Sequence, residues 1–313
     1  MKRIGIDIGG TSIKIGIVEN GHVIVKTSFL VDYHKKDFSQ VVALIIENIM
    51  SLLKENDTLI SEIEFIGIGS PGVINSSIGS VDYAANLNWE HANIVEALKS
   101  LNRPIALTND ANAAGLGEVL YGAGRDYKNV IVLTLGTGVG SAIILNKKIY
   151  DGMDGKGAEL GHMIIEANGR ECTCGLRGCY EAYASVSALI NDTKHAMKEN
   201  ANSLLWKQVD GDINKVNGIT PFECAKLGDS VAQNVVDNYI EKIGVGIINI
   251  CNIFRPEAII IGGGVSNQGD NLINPLKDYL KKYNYGFLNT PEPVILCAEL
   301  KNDAGIIGAC YIK

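Results

Sequence analysis

A supersecondary pattern that occurs twice constrains the fold of this chain more than any other feature of its sequence. In the first copy, the isoleucine-rich run 4–8 leads into the turn Gly9-Gly10-Thr11, a second run rich in isoleucine at 13–18, the turn Asn20-Gly21 and a third run at 23–29. Short runs rich in β-branched residues and bounded by such turns predict β-strands, and Asn-Gly is a strong hairpin signal. The first copy therefore predicts three consecutive strands.

The second copy begins at residue 130. Residues 130–135 form an apolar run, Gly136-Thr137-Gly138 is a glycine turn, residues 140–145 form another run, and Asn146-Lys147-Lys148 is a polar turn. A gapless alignment of the two copies places Gly9 on Gly136. Because one unit of strands and turns recurs, we expect two halves of related architecture.

The length of the chain supports a division into two domains. At 313 residues, the chain is at the size where a single hydrophobic core stops growing. We place residues 1–108 and 298–313 in an N-terminal α/β domain, and residues 109–297 in a larger α/β domain. Apolar residues at helical spacing over 230–254 predict a long helix, whereas the polar, aperiodic stretch 199–218 predicts an exposed insertion.

A cluster of cysteines marks the larger predicted domain. Cys172, Cys174 and Cys179 fall within eight positions, and His162 lies just upstream. A C-x-C pair does not readily reach the geometry of a disulfide, whereas three thiolates and one imidazole suit a closed tetrahedral Zn²⁺ site. The alternative is three buried or redox-active thiols with an unrelated histidine. Interleaved glycines and charged residues are not a core pattern and favour the metal site.

Two acidic residues flank this predicted zinc site. Glu159 lies three positions before His162, and Glu181 follows Cys179 by two. A structural zinc contributes on the order of 10 kcal/mol to the folding of such a segment, so it would hold both carboxylates in place. They are therefore candidates for a binding site. The alternative is a solvated turn for Glu159 and a charge in the first turn of a helix for Glu181.

The composition excludes several classes of function. The net charge is −7 and no Lys/Arg cluster appears, which argues against nucleic acid as a partner. No apolar run reaches the length of a membrane span or a signal sequence, so we expect no membrane partner and a cytoplasmic protein. The four cysteines outside the cluster occur singly in apolar segments, which indicates reduced core residues.

Three glycine turns at predicted strand ends suggest a cradle for a nucleotide. They are Gly9-Gly10-Thr11, Gly136-Thr137-Gly138 and Gly262-Gly263-Gly264. Because glycine has no Cβ, the backbone N–H groups of such turns can approach phosphate oxygens closely. The chain contains no G-x-x-x-x-G-K-[ST] loop and no G-x-G-x-x-G that opens a helix. Any one of these turns alone is equally well explained as a tight hairpin.

Six motifs together resemble the ROK family (repressors, open reading frames, kinases) over the whole chain and in the family's order. The motifs are Asp7-Ile8-Gly9-Gly10-Thr11, Asn109-Asp110-Ala111-Asn112-Ala113, Leu135-Gly136-Thr137-Gly138-Val139-Gly140, Glu159-Leu160-Gly161-His162, the cysteine run 172–181 and Gly262-Gly263-Gly264. The resemblance implies an α/β fold of two actin-like (ribonuclease H-like) ATPase domains. Each would contain a mixed five-stranded sheet with helices, and a cleft would lie between them. It also implies ATP-dependent phosphorylation of a hexose, and homodimers or tetramers as the usual assemblies.

The resemblance assigns a sugar site. Asp110 matches the general base that accepts the proton of the attacking sugar hydroxyl, although a helix cap is the alternative role for an aspartate at this position. Substrate contacts are implied at Gly72, Asn109, Asp110, Glu159, His162 and Glu181. His162 would bind zinc through one ring nitrogen and a sugar hydroxyl through the other.

It also assigns the nucleotide and metal ligands. Asp7 resembles the residue that holds Mg²⁺, through water. Phosphate and adenosine contacts are implied at Asp7, Gly9, Gly10, Thr11, Gly136, Thr137, Gly138, Gly262, Gly263 and Gly264. The zinc ligands would be His162, Cys172, Cys174 and Cys179. The implied cofactors are therefore ATP, Mg²⁺ and Zn²⁺.

The leading interpretation is a glucokinase-like enzyme that phosphorylates the 6-hydroxyl of glucose. A second interpretation keeps the chemistry and changes the sugar to N-acetylmannosamine, fructose, allose or a β-glucoside. A third is a sugar-responsive regulator without catalysis, which the intact Asp110 and the three glycine turns disfavour. A zinc hydrolase fits poorly, because three sulfurs and one nitrogen leave no open position for water.

Overall fold

The computed structural model describes residues 1–283, 285 and 290–312, and it confirms the expected α/β class. The strands of this part are β1 (Lys2–Ile8), β2 (Ser12–Glu19), β3 (His22–Leu30), β4 (Ile63–Ser70), β5 (Val73–Asn75), β6 (Ser80–Ala84), β7 (Trp89–Asn93), β8 (Ile105–Asn109), β9 (Val130–Leu135), β10 (Val139–Leu145), β11 (Lys148–Ile149), β12 (Ala258–Gly262) and β13 (Val294–Cys297). The α-helices are α1 (Phe38–Glu55), α2 (Ile94–Ala97), α3 (Asp110–Tyr121), α4 (Glu181–Ala184), α5 (Val186–Glu199), α6 (Leu204–Gln208), α7 (Thr220–Lys226), α8 (Ser230–Phe254), α9 (Asp270–Tyr283) and α10 (Ala304–Ala309).

Two five-stranded sheets share one strand order. The first runs β3-β2-β1-β4-β8 and the second runs β11-β10-β9-β12-β13. In each sheet, the three consecutive strands of the sequence repeat lie at one edge in the same order. The first sheet is mixed, since β1 pairs with β2 antiparallel and with β4 parallel. The expected repeat and the pair of five-stranded sheets are therefore confirmed. A third, three-stranded sheet runs β5-β6-β7.

The first sheet forms one hydrophobic core with helix α1. Ile4, Ile6 and Ile8 of β1 are fully buried, as expected for a strand in the middle of a covered sheet. Helix α1 presents six buried apolar residues at helical spacing, and they join the same core cluster. Asp37 starts this helix with a capping box, because its carboxylate accepts from the Gln40 N–H at 2.9 Å and the Gln40 side chain accepts from the Asp37 N–H.

Contacts between Cα atoms divide the described residues into two compact units. The first unit contains Met1–Ile131, Ala142–Ala158 and the described residues from Glu299 onward; the second contains Val132–Ser141 and the described residues of Glu159–Ala298. The domain boundaries expected from the sequence, at 108/109 and 297/298, stay a prediction. Within the described part of the chain, the helices are all too short or too polar to cross a membrane.

The stretch 199–218 is mostly exposed, as expected, but it is folded and has a few buried apolar residues. It contains α6 and a short 3₁₀ turn at Ile213–Lys215. Leu205, Val209 and Val216 are buried and form a small core with residues of α5, α7 and α8. These helical pieces are only a few residues long, so their apolar side chains show no detectable period in the sequence.

Candidate functional site

The N-terminus of α3 presents two of the predicted site residues. Asn109 ends β8 and caps α3, since its side-chain oxygen accepts from the Ala111 N–H at 2.9 Å and the Asn112 N–H at 3.3 Å. Asp110 is the first helical residue, and its carboxylate accepts from the Ala111 N–H at 2.8 Å. The capping position belongs to Asn109. Asp110 is therefore placed where the helix dipole stabilises a negative charge.

The carboxyl end of β1 presents Asp7 and the first glycine turn. The Asp7 carboxylate accepts from the Lys14 ammonium at 3.0 Å, and these two residues are direct partners across β1 and β2. The Gly9 N–H donates to the Ser12 carbonyl at 2.9 Å, and the Tyr33 hydroxyl donates to the Gly9 carbonyl at 2.9 Å. Hydrogen bonds at both the N–H and the carbonyl group of Gly9 therefore hold the turn in place.

The second glycine turn joins β9 and β10 and is fixed to the start of α5. The Gly136 N–H donates to the Gly138 carbonyl at 3.0 Å. The carbonyl of Gly136 accepts from the Val186 N–H at 2.8 Å, and that of Thr137 accepts from the Ser187 hydroxyl at 2.8 Å. Because the carbonyl groups are bonded to α5, the turn is held in one conformation.

The third glycine turn follows β12. Gly263 has φ +84°, and a side chain there would also collide with the backbone of Leu135. The Ser266 hydroxyl donates to the Gly263 carbonyl at 2.7 Å. Among the described residues other than its two chain neighbours, none has a heavy atom within 4 Å of the position that a Cβ of Gly264 would take. A backbone that is free of neighbouring side chains in this way can approach a ligand closely.

The structure brings the four expected zinc ligands together. The Cys172 sulfur lies 3.8 Å from His162 Nδ1, and the sulfurs of Cys174 and Cys179 lie 3.7 Å apart. The four ligand atoms are all within 4.8 Å of one another. Sulfurs bound to one tetrahedral zinc at 2.3 Å are separated by roughly 3.8 Å. The chemistry and spacing of these donors therefore fit a zinc ion.

The loop that carries the cysteines folds through local backbone contacts. The Cys172 N–H donates to the Leu176 carbonyl at 2.9 Å, and the Gly175 N–H returns to the Cys172 carbonyl at 3.0 Å. Gly175 and Gly178 have φ +87° and +82°, a conformation that side chains disfavour. These glycines let the chain turn sharply enough to place three sulfurs on one side.

The thiols of the cluster differ in their surroundings. Burial raises the pKa of the Cys179 thiol to about 12, and it also raises the pKa of Cys172. The backbone N–H of Leu176 lowers the pKa of Cys174, which is exposed. A metal binds thiolates, so occupation of this cluster would release protons.

The two flanking carboxylates lie next to the cluster. Glu181 begins α4, where its carboxylate accepts from the Val139 N–H at 2.9 Å and from the Thr173 hydroxyl at 3.0 Å. Partial removal from water raises the pKa of the Glu159 carboxyl, although Glu159 as a whole is exposed. The neighbouring His162 lowers this pKa, and the negative charge of Glu181 raises it further. Glu159, His162 and Glu181 are therefore electrostatic neighbours.

Tyr180 anchors this region to the long helix α8. Its ring is fully buried, and its hydroxyl donates to the Ile243 carbonyl at 3.0 Å. A Cβ at Gly246 of α8 would collide with the same ring. Tyr180 lies between Cys179 and Glu181 in the chain, so one buried anchor fixes both a sulfur ligand and a carboxylate.

The remaining predicted contact, Gly72, follows β4 with φ +103°. A side chain there would collide with the Tyr83 carbonyl, so the packing of β6 explains this glycine. A sugar contact at Gly72 stays a prediction, as do the roles of the other site residues. Thr173, Ser141 and the anchor Tyr180 also belong to this region, and the sequence motifs do not predict their contacts. The Leu160 N–H donates to the Ser141 hydroxyl at 3.0 Å, a contact that no local motif announces.

Comparisons with known proteins extend over the whole of this fold. The model of the ROK family matches residues 3–313. A glucokinase of Thermotoga maritima is 36% identical over 318 aligned residues, which cover 100% of this chain and 97% of that protein. A xylose repressor of Caldicellulosiruptor bescii is 31% identical over 97% of this chain and 76% of its own length.

Solved structures agree with the expected fold. The crystal structure of a ROK family glucokinase from Streptomyces griseus, in complex with glucose and AMPPNP, superposes with a TM-score of 0.82. It is 31% identical, and the superposition covers 99% of this chain and 98% of that one. Such a likeness over the full length confirms the expected actin-like ATPase fold with its two five-stranded sheets.

Proposed function

This chain belongs to the ROK family and is a sugar kinase, and we propose that it transfers the γ-phosphoryl group of ATP to the 6-hydroxyl of glucose. The observation that carries the choice of a sugar is the cluster of His162 and three cysteines with Glu159 and Glu181 beside it. Carboxylates and an imidazole offer several hydrogen-bonding atoms in one place, which suits a ring with many hydroxyl groups.

Asp110 acts as the general base in this proposal. The oxygen of the sugar hydroxyl forms a bond to the γ-phosphorus, the bond to the β-phosphate oxygen breaks, and the hydroxyl proton passes to the Asp110 carboxylate. A positioned base of this kind typically contributes ~10²–10⁴-fold to the rate. Its place at the first position of α3 supports the role, because the helix dipole favours a negative charge at this end of the helix.

The three glycine turns would hold the nucleotide, and Asp7 would hold its magnesium ion. Asp7 is a carboxylate at the end of a buried strand, and oxygen donors of this kind fit Mg²⁺. When bound, the ion neutralises charge on the phosphates. The backbone N–H groups of the turns at Gly9–Thr11, Gly136–Gly138 and Gly262–Gly264 contribute direct contacts to the phosphates and the adenosine.

Zinc has a structural role in this proposal. His162, Cys172, Cys174 and Cys179 would occupy all four positions of a tetrahedral ion, so no position stays open for catalysis. A ligated His162 would keep one ring nitrogen for a sugar hydroxyl, with its tautomer fixed by the metal. The ion thus holds the sugar-binding carboxylates in place.

A different sugar is the main alternative, and a regulator is the second. The xylose repressor noted above shows that this fold also serves regulation in other proteins. The presence of Asp110 together with three glycine turns supports catalysis in this chain. A homodimeric assembly and a cytoplasmic location stay predictions.

A coupled assay that follows ADP release, with Mg-ATP and a panel of hexoses, tests the proposal. We expect glucose to give the highest kcat/KM, above N-acetylmannosamine, fructose, allose and a β-glucoside. A higher value for another sugar would replace the substrate and keep the chemistry. Zinc-loaded, folded protein without turnover on any sugar would contradict the assignment of this chain as a glucose kinase.

A further inference from the structure

Helix α10 is packed so closely in the first unit that backbone meets backbone. A Cβ added at Gly5 of β1 would collide with the carbonyl of Ile306, and one added at Gly67 of β4 would collide with the carbonyl of Ala309. A Cβ added at Gly308 would collide with the backbone of α3. Contacts of this kind leave no gap between α10 and the sheet or α3, so any shift of α10 would disrupt close backbone packing.

Gly305, in the first turn of α10, differs from these glycines. A Cβ at this position would lie 2.9 Å from Asp7 Cγ, 3.0 Å from Oδ1 and 3.1 Å from Oδ2. The three nearest atoms all belong to one carboxyl group, and none belongs to the backbone. The absence of a side chain at Gly305 therefore makes the space in which the Asp7 carboxylate lies.

The Asp7 carboxylate is also held by Lys14. The Lys14 ammonium lies 3.0 Å from Oδ2, and the side chain of Asp7 is 18% exposed. The carboxylate thus lies between a cation of β2 and the backbone of α10. Because α10 is fixed by its other contacts, a methyl group at position 305 would be accommodated by displacing the carboxylate.

We infer that Gly305 is a positioning residue, which sets where the Asp7 carboxylate stands and thereby how firmly the magnesium ion and its nucleotide are held. The inference rests on the proposed function for the role of Asp7, and on the packing of α10 for the rest. It concerns a residue that no sequence motif discussed above contains, since Gly305 lies beyond the third glycine turn.

A double-mutant cycle in thermal unfolding tests the contact without any ligand. Gly305→Ala is compared in the native background and in the background of Asp7→Ala, where no carboxyl group remains to be displaced. We expect Gly305→Ala to lower the Tm in the native background. In the Asp7→Ala background we expect an unchanged or higher Tm, because alanine favours helix over glycine. A difference of about 2 °C or more between the two backgrounds supports the inference.

Equal Tm shifts from Gly305→Ala in the two backgrounds would overturn the inference. If Gly305→Ala alone fails to fold and the double variant folds, the contact with Asp7 is supported. If neither folds, the obstruction lies elsewhere and the inference is wrong. Gly308→Ala is the control for a packing defect that does not involve Asp7, and it is expected to lower the Tm in both backgrounds, because its Cβ meets backbone.

The Mg²⁺ dependence of the rate tests the functional part. We expect Gly305→Ala to raise the Mg²⁺ concentration for half-maximal rate by ~10–100-fold, as for other changes that displace a metal-holding carboxylate, and to leave the KM of the sugar unchanged. An unchanged Mg²⁺ dependence, or an equal rise in the KM of the sugar, would contradict it. If the wild-type protein phosphorylates no sugar, the proposed function fails, and the unfolding cycle still decides the contact.

Discussion

The acidic residues proposed for phosphoryl transfer and those proposed for sugar binding are held in place by different means. In the first unit, Asp110 begins a twelve-residue helix and Asp7 is the second-last residue of a seven-residue strand. In the second unit, Glu159 and Glu181 flank a loop in which the sulfurs and the imidazole converge. Regular backbone structure places the first pair, whereas the second pair lies beside a centre that suits a metal, with Glu181 also in the first turn of the short helix α4.

Because of this difference, we expect substitutions in the two regions to impair the protein in two different ways. A side chain that is held by a sheet and a helix keeps its place when its own chemistry is changed, because backbone hydrogen bonds and packing do not depend on it. A carboxylate that is held by a metal-binding loop moves when one metal ligand of the loop is removed, since the folding of such a loop depends on the ion. The following predictions test this separation.

The largest effect is expected from Asp110→Asn. The amide is close in shape and still accepts from the Ala111 N–H, so fold, zinc content and sugar KM are expected to stay as in the wild type. Because the amide is not a base, kcat is expected to fall by ~10²–10⁴-fold. Steady-state kinetics measure kcat and sugar KM, and metal analysis measures the zinc content. Asp126→Asn is the control at an exposed aspartate. Near-normal kcat would remove Asp110 from this role.

A smaller effect, on the KM of the sugar instead of kcat, is expected from Cys174→Ala. Loss of one sulfur ligand is expected to remove zinc and to raise the KM of the sugar by ~10–100-fold, while Asp110 and its helix stay intact. Zinc content and sugar KM are measured on the same preparation. Cys224→Ala, which removes a buried thiol away from the cluster, is expected to keep both. A metal-free variant with normal sugar KM would separate zinc from sugar binding.

Glu118→Gln tests the regular structure behind Asp110. The buried Glu118 carboxylate on α3 accepts from the N–H groups of Ala123, Glu299 and Leu300, the last at 2.7 Å. An amide faces at least one of these donors with its own N–H group, so we expect a loss of about 1–3 kcal/mol in the free energy of unfolding, measured in urea. Sugar KM is expected to stay unchanged.

The matched control for that variant is Glu223→Gln, since Glu223 pairs with Lys226 on the surface. Its expected cost lies within about 0.5 kcal/mol. Equal costs for the two variants would show that the tie between α3 and the C-terminal segment adds nothing to the stability of the first unit.

The smallest effect is expected from Tyr180→Phe, which tests whether the second unit also uses an anchor in regular structure. The variant loses the bond to the Ile243 carbonyl, at a cost of ~0.5–1.5 kcal/mol in the free energy of unfolding. We expect zinc to be retained and sugar KM to rise slightly. Tyr239→Phe loses a similar buried bond, to Ala184, and is expected to leave sugar KM unchanged. A large loss of zinc in Tyr180→Phe would show that the anchor holds the metal loop.

The sequence predicted those features that depend on neighbours along the chain. The strands of the repeat follow from short runs rich in β-branched residues and from turns, and the convergence of His162 with three sulfurs follows from three cysteines and a histidine within a short segment. The short helices of the stretch 199–218 were not predicted, because its few buried residues are spread over pieces too short to show a period.

Contacts between distant segments were beyond reach of the sequence. Glu118 accepts from Glu299, which lies 181 positions away, and Gly305 makes room for Asp7 near the other end of the chain. No spacing rule connects such residues, because their contact depends on how α10 packs on α3 and on the sheet. The sequence therefore predicts which side chains carry chemistry, but it does not predict which residues hold those of the first unit in place.

The most direct test of the account is the identity of the product formed from glucose and Mg-ATP, determined by proton-coupled phosphorus NMR. The account predicts a phosphate monoester whose phosphorus couples to the two protons on C6 of glucose, formed together with ADP. Release of inorganic phosphate without an ester, or an ester at any other carbon, would contradict the claim that this chain phosphorylates the 6-hydroxyl.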